Sequence, residues 1–192
     1  MKPLLLLALL QAAPAAPPAA PTNTWAADPA HSAVGFRVRH LGITWVNGTF
    51  KQWTADLKYD PAHPEAATVV ARIQTASVNT DNERRDNDLR ANYLVVDSFP
   101  EIAFTSKKVE RAGEGRLRIT GDLTLRGVTR SVVLDAEVGG VLASPRGRRA
   151  AFSATTTIKR QDYGIILNRL MEGAPIVGDD IRITIDIEAI ER

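Results

Sequence analysis

The sequence predicts an all-β protein: eight amphipathic antiparallel strands that close into a barrel, with one short helix near a barrel mouth. Three observations carry this reading. From Trp25 onward, apolar and polar residues alternate with period two, the pattern of half-buried strands. The alternating runs are joined mostly by short turns, with no βαβ unit, repeat or domain linker between them. Helical features are confined to Thr75–Phe104. An antiparallel sheet with one apolar face must close on itself or pack against another sheet. A two-sheet sandwich is therefore the competing architecture. Closure of eight strands leaves an interior that is either just filled or holds one small ligand.

The first residues read as a secretory signal. Lys2 is a minimal basic start, Leu4–Leu10 is an apolar run too short to span a bilayer, and Ala13-Pro14-Ala15 is an A-x-A-type cleavage site. Residues 1–20 are expected to be a signal peptide, cut at about 15–20, leaving a single domain over 22–192 that is periplasmic or secreted. The absence of cysteine means that the core alone carries stability in an oxidising compartment. The chain has 24 Lys+Arg against 22 Asp+Glu, and removing Lys2 brings it closer still to neutrality, which gives no reason to expect nucleic acid as a partner. No later apolar run is long enough to form a transmembrane helix.

Taken in order, the first strand spans His31–His40, with Val34, Phe36, Val38 and His40 on one face and Ala33, Gly35, Arg37 and Arg39 on the other. Leu41–Asn47 reads as a turn or loop carrying Trp45. Gly48–Asp60 resumes with Trp53, Ala55, Leu57 and Tyr59 in phase; Phe50 is out of phase with Trp53, so a bulge is expected near Lys51-Gln52. Asp60–Pro64 is turn chemistry. Val69, Ala71 and Ile73 define the next inner face.

The helix follows, over about 81–93, with Thr80-Asp81-Asn82-Glu83 fitting a capping box. Its surface is charged, Leu89 and Tyr93 share one side, and Pro100 ends it. Ile102 and Phe104 then alternate with Ala103 and Thr105, and Arg116–Arg126 places Leu117, Ile119, Gly121, Leu123 and Leu125 inward. After a hairpin at Gly127-Val128, the inner set is Val132, Leu134, Ala136 and Val138. Gly139–Arg149 reads as a Gly/Pro/Arg loop, and Phe152, Ala154, Thr156 and Ile158 lie inward on the next strand. Gln161–Asp180 reads as irregular, and Ile181, Ile183, Ile185 and Ile187 close the chain.

Small residues spread among large ones on this inner face leave room for a long, thin hydrocarbon. The alternative is a core that the side chains fill completely. Signals for chemistry are sparse. The three histidines are scattered, and Asp28, His31 and Ser32 share the residue types of a catalytic triad without a nucleophile elbow or oxyanion loop. Gly-rich phosphate fingerprints are absent. No catalytic residue and no metal ligand set is expected. Arg84, Arg85, Arg90 and Arg160 either bind a polar head group at the mouth or pair with Glu83, Asp86, Asp88 and Asp162.

Several short motifs are collinear with a known family. They are Asp28-Pro29-Ala30-His31-Ser32-Ala33-Val34-Gly35-Phe36, Gly48-Thr49-Phe50, Ser77-Val78-Asn79-Thr80 and Arg85-Asp86-Asn87-Asp88-Leu89. Phe99–Phe104, Gly121–Thr129, Arg160-Gln161-Asp162-Tyr163-Gly164 and Val177–Ile181 continue the series. Together they resemble the YceI-like polyisoprenoid-binding family. Tyr93-Leu94-Val95-Val96 departs from it, standing where the family is richer in Phe, and the Arg-rich loop Gly139–Arg149 is particular to this chain.

The resemblance implies an eight-stranded lipocalin-like barrel that holds a long-chain isoprenoid or similar amphiphile non-covalently, with no other cofactor and no established catalytic residues. It leaves the choice between monomer and homodimer open. On this reading the expected ligand contacts are Val34, Phe36, Val38, Trp53, Leu57, Val69 and Ile73 in the first half of the chain. Phe104, Leu123, Leu134, Phe152, Ile158, Ile183 and Ile185 follow in the second half, with His40, Arg85 and Asp86 as polar elements near the mouth. The leading function is binding a polyprenyl lipid or isoprenoid quinone for transport, storage or stress protection. The competing ones are a filled-core scaffold for protein partners and an enzyme acting on a sequestered lipid.

Overall fold

Period-two alternation becomes strand almost everywhere it occurs. The computed structural model describes residues 23–145, 147–166, 170–171 and 174–192; the expected signal peptide and Arg146 lie outside the described residues. In chain order the elements are β1 (Thr24–Ala27), β2 (Ala33–His40), β3 (Thr44–Phe50), β4 (Trp53–Lys58), β5 (Thr68–Gln74) and β6 (Val78–Asn79). Helix α1 (Glu83–Asp88) runs into a π-helical segment, Leu89–Leu94. Then come β7 (Glu101–Gly113), β8 (Arg116–Leu125), β9 (Val128–Ser144), β10 (Gly147–Lys159), the small hairpin β11 (Leu170–Met171) and β12 (Ala174–Pro175), and β13 (Val177–Glu191).

These strands form eight staves of one closed antiparallel barrel. The first stave is β1 with β2, interrupted by a 3-10 turn at Pro29–His31 whose first amides are capped by Asp28, which accepts from the Ala30 N–H. The second is β3 with β4, broken where the bulge is expected, at Lys51-Gln52. The third is β5 with β6, separated by Thr75–Ser77. Staves β7, β8, β9 and β10 follow as neighbours, and β13 closes the ring by pairing with β10 on one side and with β1 and β2 on the other. Among the described residues, no helix is long and apolar enough to cross a membrane.

Register fixes the inside. Phe36 pairs with Ile183, Phe104 with Leu123, and Ile119 with Leu134, so aliphatic and aromatic residues form rings around the interior. Two glycines are required by this packing. A Cβ on Gly48 would sit 2.3 Å from Phe36 Cζ, and one on Gly121 would sit 2.5 Å from Phe104 Cζ, so each inward phenylalanine lies across a glycine on the neighbouring stave. A bulge between Ser106 and Lys108 shifts the phase of β7 and brings Val109, rather than Lys108, into the core.

Three of the expected loops are corrected. Leu41–Asn47 is not a loop: only the turn at Leu41–Ile43 leaves the sheet, and Thr44–Asn47 pairs with β2. Gly139–Arg149 is a long hairpin rather than a loop, because Val141, Leu142 and Ala143 pair with Ala150, Arg149 and Arg148; Gly139 is the extra residue of a bulge opposite Ala151/Phe152. The described parts of Gln161–Asp180 include a 3-10 turn, the β11–β12 hairpin and the start of β13.

The helix exists but starts later, and its cap differs. Asn82, not Thr80, is the N-cap, accepting from the Arg85 N–H at 3.0 Å. Thr80 instead gives its N–H and hydroxyl to the Asp86 carboxylate, at 2.9 and 2.6 Å. A carboxylate one turn further along than Glu83 therefore reaches back to Thr80.

Candidate functional site

The barrel encloses a cavity of about 470 Å³, within the range of ligand-binding pockets. Its wall is the inner face of every stave. Val34, Phe36 and Val38 come from β2, Trp53 and Leu57 from β4, and Val69 and Ile73 from β5. Phe104 (β7), Leu123 (β8), Leu134 (β9), Phe152 and Ile158 (β10), and Ile183 and Ile185 (β13) complete it. All fourteen of these sequence-predicted apolar positions therefore face one space. The small residues Ala55, Ala71, Ala136 and Ala154 lie between the large ones and leave the room that bulkier side chains would take.

One end is sealed. Trp25 is 1% exposed and its indole N–H donates to the Tyr59 carbonyl at 2.9 Å. Ala150, Ile187 and Ala189 pack with it, and the Tyr59 ring stands edge-on to Phe152, with centroids 5.0 Å apart. Burial, with the Asp60 charge second, pushes the Tyr59 phenol above its ordinary pKa, so it stays neutral.

At the other end the lining includes His40, Arg85, Asp88 and Arg160, while Thr54, Lys58, Thr68 and Ser153 border the cavity elsewhere. His40 ends β2 there, beside Arg39, and Arg85 and Asp88 project from α1, with Thr80 before it. Leu89 and Tyr93, four apart, both border the cavity, as does the buried Leu94. Arg160, 3% exposed, donates to the carbonyls of Gly178, Ile165 and Val177 and so fixes the chain around the rim.

His40 and Arg85 thus lie where sequence reasoning places them, but Asp86 does not. It is the buried residue of α1, holding Thr80, and is absent from the wall. Arg85 gives two donors to Thr80, at Oγ1 and the carbonyl, and Arg90 donates to the carbonyls of Ala76 and Val78. Their local partners are thus mainly backbone and hydroxyl oxygens.

Sequence reasoning misses Val46, Ile165 and Ile176, which also line the cavity. Val46 was legible, since it is in phase with Gly48 and Phe50; Ile165 and Ile176 lie in a stretch without periodicity.

Outside the sealed end, Asp28, His31 and Glu188 bring three ligand-type atoms within 4.8 Å of one another. Arg149 bridges both carboxylates, and Asp28 Oδ2 lies 2.9 Å from His31 Nδ1. The guanidinium supplies the positive charge that a cation would bring. Ser32 Oγ donates to the Glu188 carbonyl and accepts from the Glu188 N–H, tying the chain between β1 and β2 to β13.

Comparison with known proteins agrees with this architecture. The UPF0312 protein of Shewanella baltica (strain OS155) is 40% identical over 169 residues, covering 86% of this chain and 88% of its own. A YceI protein of Campylobacter jejuni has 36% identity and a TM-score of 0.70 over 80% of this chain and 90% of its own. A polyisoprenoid-binding domain from Saccharophagus degradans, implicated in plant cell wall breakdown, shares the fold at 15% identity, with a TM-score of 0.69 over 88% of this chain and 98% of its own. The YceI-like domain family model matches residues 25–189, and the chain belongs to that family.

Proposed function

We propose that the protein binds one long-chain isoprenoid, a polyprenyl lipid or an isoprenoid quinone, with its tail in the barrel and its polar end among the groups at the mouth. One observation carries this reading: a cavity of about 470 Å³ with a mostly hydrocarbon wall and a cluster of charged and imidazole side chains, His40, Arg85, Asp88 and Arg160, at one end. That polarity matches an amphiphile with a single head. Each methylene moved from water into such a wall contributes up to about 0.8 kcal/mol, so a long chain binds tightly without any catalytic group. The binding domain of Saccharophagus degradans supports the choice of ligand class by fold alone. The role that follows is shielding the lipid from water for transport, storage or stress protection, in the periplasm or outside the cell, after removal of residues 1–20. A filled-core scaffold fits less well, because the interior is not filled. An enzyme would need reactive groups converging deep in the barrel, and the deep wall is mostly hydrocarbon.

Organic extraction of protein purified from its native source, followed by mass spectrometry, tests the reading. A polyprenyl or quinone species at one per protein is the expected result. Another amphiphile would keep the cavity and remove the isoprenoid. No lipid from well-folded protein would remove the carrier function. Leu123→Arg with Ile183→Arg places two cations in the apolar wall and should abolish lipid recovery; lipid retained by a folded double variant would show that the tail lies elsewhere.

A further inference from the structure

On the outer surface of the barrel, beside the mouth, Trp45 sits beneath three guanidiniums. Arg39 lies 4.1 Å from the ring centroid, and Arg37 and Arg182 each lie 4.8 Å from it. The register explains the cluster: Arg39 is opposite Trp45 across β2–β3, and Arg37 is opposite Arg182 across β2–β13, all on the outward face. Among the described residues, none of these three arginines forms an ion pair. The rim aspartates Asp179 and Asp180 are engaged by Lys159, at 3.9 and 3.0 Å, and Asp186 is two outward positions further down β13. Arg37 Nε is buried and has no hydrogen-bond partner. Three like charges held around one indole, without a carboxylate to neutralise them, leave a concentrated positive field.

Two further features place this field at an apolar boundary. Arg39 and His40 both border the cavity, so the patch is continuous with the mouth. The turn joining β2 to β3 carries Ile43, 75% exposed, and Ile166, 65% exposed, follows the cavity-lining Ile165. Large aliphatic side chains projecting at a rim, next to an amphipathic indole and arginines without a carboxylate partner, are the composition of a surface that sits in lipid head groups.

We propose that this face docks on an anionic bilayer, through phosphate oxygens on Arg37, Arg39 and Arg182 and shallow insertion of Ile43. Docking would bring the mouth to the source or destination of the cavity lipid. This purpose rests on the lipid-binding reading above, but the docking itself is measured separately.

The test is co-sedimentation of the full mature chain with phosphatidylcholine vesicles and with vesicles of phosphatidylcholine and phosphatidylglycerol in equal parts. Binding is expected only to the second, and should be released in about 1 M salt, where the screening length falls to roughly 3 Å. Replacing all three arginines by glutamine should weaken partitioning on the order of a hundredfold, at about a factor of five per arginine. Arg182→Gln, on an exposed side chain, and Ile43→Ser provide variants with little risk to folding, and each should weaken binding several-fold. Equal binding to both vesicles, or undiminished binding by the folded triple variant, would overturn the proposal. So would dimerisation lost in the triple variant with no sedimentation by the wild type, which would assign the patch to a second copy. Sedimentation with no extractable lipid would overturn the carrier reading and leave the docking face standing.

Discussion

At the sealed end of the barrel the most deeply buried groups are Trp25, Ala150 and Ala189, each at most 1% exposed, whereas at the mouth the polar Thr80, Asp86 and Arg160 are buried alongside the apolar Val78. The first set is held by apolar contact between residues far apart in sequence, closing the first stave on the last. The polar groups of the second are held by hydrogen bonds, many of them to backbone carbonyls, in two irregular segments, one around α1 and one after β10. Hydrophobic burial scales with area and tolerates imprecision, while a buried polar network depends on every partner being present. The difference suggests a division of labour: one end supplies stability, the other a shaped rim around an entrance.

Removing the anchor of the sealed end should have the largest effect. Trp25→Ala deletes a fully covered side chain and the indole donor to Tyr59, and large-to-small changes of this kind cost about 3–5 kcal/mol. Urea unfolding would show it as a lowered midpoint. A loss below about 1 kcal/mol would mean that stability is not concentrated at this end.

Asp86→Ala should have a smaller effect of a different kind. It leaves the Thr80 N–H and hydroxyl without their acceptor, at about 2–3 kcal/mol for buried donors. Its consequence should be local. Amide exchange should accelerate across residues 80–94 while β1 and β13 keep their protection. Uniform acceleration over the whole barrel would erase the distinction between the two ends.

The same contrast explains what was legible in the sequence. The wall was readable because a closed sheet imposes period two on every stave, and Phe36, Leu123 and Ile183 obey it whatever lies far away. The bulge at Lys51-Gln52 showed as a slip between Phe50 and Trp53. The rim was less readable because its partners are chosen by tertiary position. Thr80-x-x-Glu83 is a sound local capping signal, yet Asp86 takes Thr80 and Asn82 takes the cap. Gly139–Arg149 has the composition of a loop, but two strands already paired along their length extend by pairing further. Trp45 gave no sign of its three arginines, since Arg182 is brought to it only by barrel closure.

The finest test of the stable end is its pH dependence. Outside the floor, Asp28 Oδ2 meets His31 Nδ1 at 2.9 Å and also faces Arg149, which bridges to Glu188. The hydrogen bond that His31 donates to Asp28 raises the pKa of His31 above its ordinary value; the same bond, followed by that from the Ala30 N–H, holds Asp28 below its own. A raised histidine pKa stabilises the fold fully below the unfolded value of about 6.5 and loses that contribution as pH climbs through the folded value. A depressed aspartate pKa contributes above the unfolded value of about 3.9 and loses it as pH falls through the folded value. The pair should therefore help most between about pH 4 and 6.5. His31 is 61% exposed at its side chain, so the effect should be the smallest of the three. The melting-temperature difference between the wild type and His31→Gln, followed against pH, should peak in that window and shrink on both sides. A difference that grows toward alkaline pH would mean that neutral His31 does the work, and would reopen the Asp28–His31–Glu188 corner as a cation site.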